Sequence, residues 1–414
     1  MKKIQLCCRG NSPTATDVGN ALTPSIPGFN RAFIQWAGIT AGVAQSFYDF
    51  WEGFAVHYRG YLPSSGTGDT GLWVWAYTAQ LGNGLSATIS AEQRRMSQII
   101  GFTGVGPPAA GAPLFSVAPL GNPSLVAGTT TIGLGYGGPQ VVGNIRLDQT
   151  WGSAQVMAAA HEVNATYYGC NTTTGIGAAF CLGSANANGL SETGHRGDEW
   201  GWVVGAGLRL NFPNIAQGDY FQSQVTYTQG ATRYMNQAKQ RAQFWLGEGR
   251  IGFGVLSDCV FASTSAPVGG PVTRGTGCNL TTGWQVNASY EHYWTPQFHE
   301  SFYGGIDEIR YNSQANNILC TGCNNNFDIW SVGSRLQYDF TKTLYIGVDF
   351  LYQHLDTATL PGNVLKPANG TALLPANNDL VCATGAAGEA APCANIRNMN
   401  NLAVTLRMHK DFLP

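Results

Sequence analysis

The stretch LWVWAYTAQL-GNG-LSATISAEQR, residues 72 to 94, decides the fold of this chain. Its second half carries apolar residues at positions 85, 87, 89 and 91 and small polar or acidic residues at the positions between them. Alternation with a period of two is typical of a β-strand that has one apolar and one polar face. The glycine-rich turn between the two halves makes the stretch a β-hairpin.

The same pattern recurs along the chain and predicts twelve strands. Short turns alternate with connections of about 15 to 50 residues, as they do in an antiparallel transmembrane β-barrel. A soluble sandwich fits any single strand, but it has no reason to gather all its long loops at one end. The predicted strands are Phe33–Gly42, Leu72–Leu81, Leu85–Arg94, Val141–Gln149, Ser153–His161, Trp202–Leu210, Tyr220–Thr228, Thr282–Tyr293, Phe298–Tyr311, Trp330–Phe340, Leu344–His354 and Leu402–Phe412. Arg250–Val260 is also strand-like, and we place it in a loop as part of a hairpin, because a single extra strand would break the parity of the turns.

The composition agrees with an all-β membrane protein. Charged residues make up 11% of the 414 residues and aromatic residues another 11%, with 54 Gly. The charged fraction is well under half the usual quarter. A net charge of −2 gives no electrostatic footprint for nucleic acid. Since no stretch approaches 18 uninterrupted apolar residues, a chain that spans a membrane must do so as a closed sheet.

Eight of the ten cysteines form four pairs, each within one long connection. Local disulfides that tie down exposed loops explain this pattern and require an oxidising compartment. The alternative for the C-x-x-C pair is a redox or metal motif, but it has no strand-to-helix context and no second Cys/His pair nearby. We therefore predict disulfides, no metal and no cofactor. The predicted pairs are Cys170 with Cys181, Cys259 with Cys278, Cys320 with Cys323, and Cys382 with Cys393.

The first residues do not look like the start of an exported protein. Met1-Lys2-Lys3 resembles the charged start of a signal peptide, but no apolar core follows it. Ile4–Cys7 loosely resembles a lipoprotein cleavage box that lacks its hydrophobic region. We predict an irregular segment over residues 1–31 and a barrel domain over residues 32–414. We expect either a misassigned start or a truncated chain.

Several motifs resemble the alphaproteobacterial outer-membrane porin family of rhizobia and brucellae. They cover roughly residues 31 to 412 and include Arg31–Gly38, Gln45–Phe50, Asn144–Val156, Tyr290–Trp294, Val332–Arg335 and His409–Phe412. The resemblance implies a sixteen-stranded homotrimeric porin whose third outer loop folds inward to narrow the pore. Phe33–Gly42 would then be the fifth strand, so about twelve of sixteen strands are visible and the N-terminal part is lacking. The resemblance also implies a passive channel for small hydrophilic solutes and ions, in the lipid of the bacterial outer membrane.

Such a channel needs no catalytic group, only a charged narrow point. Phe50–Thr70 is the candidate constriction loop. Acidic loop charges that face a basic wall would create a transverse field, and the alternative for each charge is a solvated lumen position. The loop candidates are Asp49, Glu52, His57, Arg59 and Asp69, and the wall candidates are Arg94, Arg146, Arg209, Arg335 and Arg407. Asp148, Asp307, Asp339 and Asp349 are predicted to be general lumen lining.

Other functions have weaker support in the sequence. The histidines are scattered without metal-ligand spacing. A twelve-stranded membrane hydrolase would need a Ser/His pair at the outer rim, and a barrel for a hydrophobic ligand would need an apolar lumen. A structural or adhesive barrel with a blocked pore stays open as an alternative.

Overall fold

The computed structural model of this chain describes residues 3–9, 28–51, 55–58, 66, 71–95, 98–102, 115–117, 123–125, 129–131, 138–164, 198–235, 242–247, 250–262, 264–265, 273–274, 276–319, 324–358, 365–367, 380–382 and 393–411.

Fourteen strands form one antiparallel sheet, which we call the wall. Each wall strand pairs with the wall strands before and after it along the chain, and the first and last stand at the two ends of the order. The wall strands are β1 Lys3–Arg9, β2 Gly28–Trp36, β3 Ile39–Ala44, β4 Leu72–Gly82, β5 Leu85–Glu92, β6 Gln140–Gln149, β7 Gly152–Val163, β8 Glu199–Asn211, β9 Tyr220–Gln229, β10 Thr282–Tyr293, β11 Phe298–Arg310, β12 Phe327–Thr341, β13 Leu344–Asp356 and β14 Met399–Lys410.

The number of strands differs from the predicted twelve because of the first part of the chain. Phe33–Gly42 is not one strand but parts of β2 and β3, joined by a turn at Ala37 and Gly38. Both turn residues have positive φ, 48° and 85°, as a tight two-residue hairpin requires. The exposed apolar positions shift from even numbers, Ile34 and Trp36, to the odd-numbered Ile39 across this turn, and the prediction of one continuous strand overlooked that shift. The other eleven predicted strands are confirmed, with some ends shifted.

Residues 1–31 are not wholly irregular either. Lys3 pairs with Gln35 and Arg9 with Gly28, so β1 lies antiparallel to β2. Backbone pairing with a neighbouring strand supplies order that the local sequence pattern does not predict. The division into a segment of residues 1–31 and a domain of residues 32–414 stays a prediction.

The wall has an exposed apolar face and a buried polar face. In β9, Gln222, Gln224 and Thr226 are at most 4% exposed, whereas Val225 and Tyr227, each one position further along the strand, are 44% and 42% exposed. This is the inverse of a soluble protein, in which the apolar face is the buried one. It is the pattern of a membrane barrel, where lipid covers the apolar face and the polar face points inward. The predicted fold class, an all-β transmembrane barrel, is therefore confirmed.

Long connections leave the wall at one end and form small sheets of their own. The connections after β5, β9 and β13 pair with one another: Ser257–Ala262 pairs with Gln98–Phe102, Arg250–Val255 with Cys393–Ile396, and Leu365–Pro367 with Phe115–Val117. We call these paired connections the outer cap. The remaining elements outside the wall are the strands Pro123–Leu125, Thr129–Thr131, Ala242–Gly247, Thr264–Ser265, Thr273–Arg274, Asn279–Leu280 and Leu380–Cys382, the helix α1 Ser313–Leu319 and a 3₁₀ turn Thr232–Tyr234.

The hairpin predicted near Arg250–Val260 is confirmed as part of this cap, because Ala242–Gly247 pairs with Arg250–Val255. Among the residues that the structure describes, no helix is long and apolar enough to cross a membrane.

One predicted disulfide is present, between Cys259 and Cys278, whose Cα atoms lie 5.6 Å apart. Cys382 lies directly opposite Cys393 in an antiparallel pair of cap strands, so the backbone suits the predicted disulfide between them. Cys170, Cys181, Cys320 and Cys323 lie outside the described residues. The disulfides Cys170–Cys181, Cys320–Cys323 and Cys382–Cys393 therefore stay predictions.

The apolar face predicts a strong penalty for charge. Val404 lies at the middle of β14 and is 57% exposed on that face. Val404→Arg should lower the free energy of unfolding in lipid by about 2–4 kcal/mol, since the charge would face hydrocarbon. Denaturant unfolding in bilayers measures this. Val404→Ala is the control, and an equal loss in both variants would contradict a lipid-facing position.

The short turn between β8 and β9 is fixed by Asp219. Its carboxylate accepts hydrogen bonds from the Tyr293 amide (2.8 Å) and the Tyr290 hydroxyl (2.8 Å), and the His292 ring lies at 2.7 Å. Burial alone would raise the pKa of Asp219, but these three contacts outweigh it and hold that pKa below its usual range.

Asp219→Asn should therefore lower the free energy of unfolding at neutral pH, by about 1–3 kcal/mol. Because the folded pKa lies below the unfolded value, the contribution of the carboxylate is complete above the unfolded pKa and is lost as the pH falls through the folded pKa. The difference in the free energy of unfolding between wild type and variant should disappear as the pH falls below about 4. Unfolding in detergent at a series of pH values tests this, with the exposed Asp198→Asn as control. A gap that does not change with pH would contradict it.

Candidate functional site

Residues 45–51 and 55–58, which follow β3, run across the buried polar face of the wall, and we call them the inward segment. Near its start, the Ser46 hydroxyl (2.5 Å) and the Phe47 amide (2.9 Å) both donate to Glu92, the last residue of β5. The segment therefore enters at the end of the wall where the long connections lie.

Its middle is held by amide side chains of the wall. The Phe47 carbonyl accepts hydrogen bonds from Asn144 (2.6 Å) and Gln155 (3.3 Å). The Gln224 side chain accepts from the amides of Phe50 (3.2 Å) and Trp51 (2.9 Å). These wall side chains satisfy backbone groups that would otherwise be buried without a partner.

The far end of the segment meets β11, β12 and β13. Ser301 donates to the Val56 carbonyl (2.8 Å) and Arg335 to the Ala55 carbonyl (2.6 Å). The Tyr58 amide donates to Asp349 (2.7 Å). Together with Ser289 of β10, which accepts from the indole of Trp51, these contacts carry the segment past consecutive strands to the middle of β13. The segment thus lies inside the wall and is not an external loop.

Glycines on the wall make room for the aromatic side chains of the segment. A Cβ on Gly205 of β8 would lie 2.6 Å from the Tyr48 hydroxyl, and one on Gly207 would collide with the Phe50 ring. A Cβ on Gly347 of β13 would collide with the Tyr58 hydroxyl. The close approach of ring and backbone requires the absence of a side chain at these positions.

A buried ion pair fixes the first half of the segment. Asp49 lies 2.8 Å from Arg95, and the two side chains are 0% and 3% exposed. Burial alone would lower the pKa of Arg95, but the Asp49 carboxylate and neighbouring groups outweigh it and raise that pKa. Arg95 therefore stays charged, and removing Asp49 would leave this charge buried without compensation.

Four of the five predicted wall arginines lie on the inward face. Arg335 is buried and joins the Ala55 carbonyl to Glu291 (2.8 Å). Arg407 lies 5.4 Å from the centre of the Tyr58 ring, and Arg146 lies 5.4 Å from that of Phe50. These three arginines contact the inward segment directly.

Arg209 and Arg94 differ from them. The Arg209 guanidinium stacks 4.0 Å from the centre of the Tyr220 ring. Gln222, which lies opposite Arg209 in the pairing of β8 with β9, donates to the Phe50 carbonyl (2.8 Å). Arg94 follows β5 and donates to the carbonyl of Glu162.

The loop candidates fall into two groups. Asp49 belongs to the inward segment but is buried against Arg95, and His57 is buried between the rings of Trp51 and Tyr303. Glu52, Arg59 and Asp69 lie outside the described residues. The constriction role of all these residues stays a prediction.

Sequence reasoning missed the residues that hold the segment in place. The inward alternation picked Arg94, because the predicted strand ran two residues past Glu92. The strand ends at Glu92, so Arg95 takes the buried position. Asp349, predicted as general lumen lining, binds the Tyr58 amide and the Tyr303 hydroxyl. The glycines at inward positions 205, 207 and 347 were a usable signal, since they mark a close approach.

The contacts of the buried His161 do not suggest a hydrolase. Its Nε2 lies 3.2 Å from Asp258, and its Nδ1 contacts the amide of Gln140 (2.7 Å) where a nucleophile would be needed. Among the described residues, no group of three or more His, Cys, Asp or Glu could hold a metal ion.

Comparison with known proteins gave two matches. A family model described as "Porin subfamily" matches residues 10–379. Among solved structures, the crystal structure of the outer membrane channel DcaP of Acinetobacter baumannii is similar, with 11% sequence identity and a TM-score of 0.48. That match covers 98% of this chain and 80% of the other. No curated protein matches the chain.

The wall glycines provide a test of the inward segment. Gly207→Ala should lower the free energy of unfolding by about 1–3 kcal/mol, because the new methyl group would displace Phe50. Gly143→Ala on β6 is the matched control, since its Cβ would meet only the Thr88 carbonyl at 3.8 Å. Denaturant unfolding in detergent measures both, and equal stability of the two variants would place Phe50 away from the wall.

Proposed function

The chain belongs to the porin subfamily and is a passive channel of the bacterial outer membrane, and we propose that the inward segment is its constriction. The observation that carries this proposal is the series of hydrogen bonds from Glu92 of β5 to Asp349 of β13. A chain segment fixed across the polar face occupies part of the lumen and narrows it. The solutes are small hydrophilic molecules and ions, which pass without a catalytic step.

We further propose that this constriction favours anions. Two acids next to the described part of the segment pair with arginines, Asp49 with Arg95 and Glu291 with Arg335. Two others, Glu92 and Asp349, are buried and bind backbone amides of the segment. Arg209 and Arg407, by contrast, are only half-buried and stack on tyrosine rings. A stacked guanidinium keeps its N–H groups at its edge, where they are available to an anion.

Two finer points belong to the same proposal. We propose that the chain has no enzymatic activity, and its membership of the porin subfamily supports this. We also propose the homotrimer that the sequence resemblance implies, and sedimentation of the detergent-solubilised protein tests it: a monomeric mass would rule it out.

The selectivity is testable in planar bilayers. Arg209→Glu and Arg407→Glu should each shift the reversal potential in a salt gradient toward cation selectivity, because the sign of a charge at a narrow point sets the favoured ion. Arg310→Gln is the control, since Arg310 lies at the outer end of β11 and pairs with Asp328. It should leave selectivity almost unchanged.

The outcomes separate the alternatives. If reversing Arg209 and Arg407 leaves selectivity unchanged, these arginines are not at the constriction. If the wild-type protein inserts but conducts no current, the chain is a structural barrel and not an open channel.

A further inference from the structure

A tyrosine from a different outer connection packs on the inward segment. Residues 231–235 follow β9, and Tyr234 among them is 0% exposed although it lies in a loop. The centre of its ring lies 4.7 Å from that of Tyr48, in an edge-to-face arrangement. Its hydroxyl donates to Gln140 of β6 (2.7 Å). Such pairs of aromatic rings contribute beyond the area that they bury.

Arg95 joins this tyrosine to the ion pair of the segment. The guanidinium carbon lies 4.2 Å from the centre of the Tyr234 ring and 5.9 Å from that of Tyr48. The same group holds Asp49 at 2.8 Å. Tyr234, Arg95 and Asp49 therefore form one buried cluster, which we call the stack. Asp49 joins this stack to the first half of the inward segment.

The outer cap holds the stack in turn. Asp258 accepts hydrogen bonds from the amide (2.7 Å) and hydroxyl (2.8 Å) of Thr232, two residues before Tyr234. The Asp258 carboxylate also lies 3.2 Å from His161. Asp258 directly precedes Cys259, which the disulfide ties to Cys278. A continuous series of buried contacts thus runs from the cap disulfide to the inward segment.

This support differs in kind from that of the wall. Side chains of the wall strands, such as Glu92 and Gln224, bind the backbone of the segment. The stack holds the side chains of Tyr48 and Asp49, which immediately precede Phe50. The Phe50 ring is 5% exposed and faces Arg146. A shift of the stack therefore moves the part of the inward segment that lies against β6 and β8.

We propose that Tyr234 and Arg95 are positioning residues of the constriction, so that a second outer connection, anchored in the cap at Asp258, sets the width of the pore. The proposal rests on the proposed function of the inward segment. It makes permeability depend on a side chain that does not itself belong to that segment.

The test measures the uptake of neutral sugars of increasing size into liposomes that contain the full chain. In Tyr234→Ala the uptake of sugars near the size limit should rise about twofold relative to the smallest sugar, because the narrow point relaxes. Tyr234→Phe keeps the ring over Arg95 and should restore the wild-type profile. Tyr234→Leu is the second variant if the alanine variant does not fold, and it should show the same rise.

Two further variants make the result specific. Tyr311→Ala removes another buried tyrosine, whose hydroxyl donates to the Val255 carbonyl of the cap (2.6 Å). It should lower thermal stability without altering the size profile. Phe50→Ala changes the inward segment directly and should raise uptake of the larger sugars.

Each outcome decides one claim. Unchanged profiles in the folded Tyr234 variants, with a rise in Phe50→Ala, overturn the positioning role and leave the constriction in place. An equal rise in Tyr311→Ala also overturns it, because loss of any cap packing would then suffice. Unchanged profiles in Phe50→Ala as well would overturn the constriction itself.

Discussion

A buried polar face is the constraint on which the rest of this structure depends. A sheet in lipid must satisfy every backbone group within itself and turn apolar side chains outward. Its polar side chains are then left on the inner face, where each needs water or a protein partner. The inward segment supplies many of those partners, and the same contacts fix its path. The inward polar face and the path of the segment therefore follow from one requirement, and the proposed constriction rests on both.

Side chains of the strands and side chains of the outer connections hold the segment in different ways. Amide and carboxylate side chains, such as those of Gln224 and Asp349, bind the backbone of the segment. Arginines serve two roles according to their burial. Arg95 and Arg335 are buried with carboxylates and hold the segment, whereas Arg209 and Arg407 remain half-buried beside tyrosine rings. The charges that hold the segment are thus distinct from the half-buried charges that we propose a solute meets.

Periodicity predicted most of the wall, because lipid enforces a period of two on each strand. It failed where a two-residue turn shifts the alternation by one position, as at Ala37 and Gly38. It also failed where order comes from a neighbouring strand, as in Lys3–Arg9. The site was harder to predict. Alternation indicates which way Arg335 points, but not that Arg95 lies beneath Tyr234, because that contact joins connections far apart in sequence. Only Cys259 and Cys278 tied a loop of the cap in a way that the sequence could predict and the described residues confirm.

The most direct test of the central claim is hydrogen exchange at four amides of the inward segment in the membrane-inserted protein. The amides of Phe47, Phe50, Trp51 and Tyr58 each donate to a side chain of the wall. Protection comparable to that of the wall strands is the predicted result, because these amides open only when the segment leaves the inner face. Exchange as fast as in an unstructured chain would contradict the account.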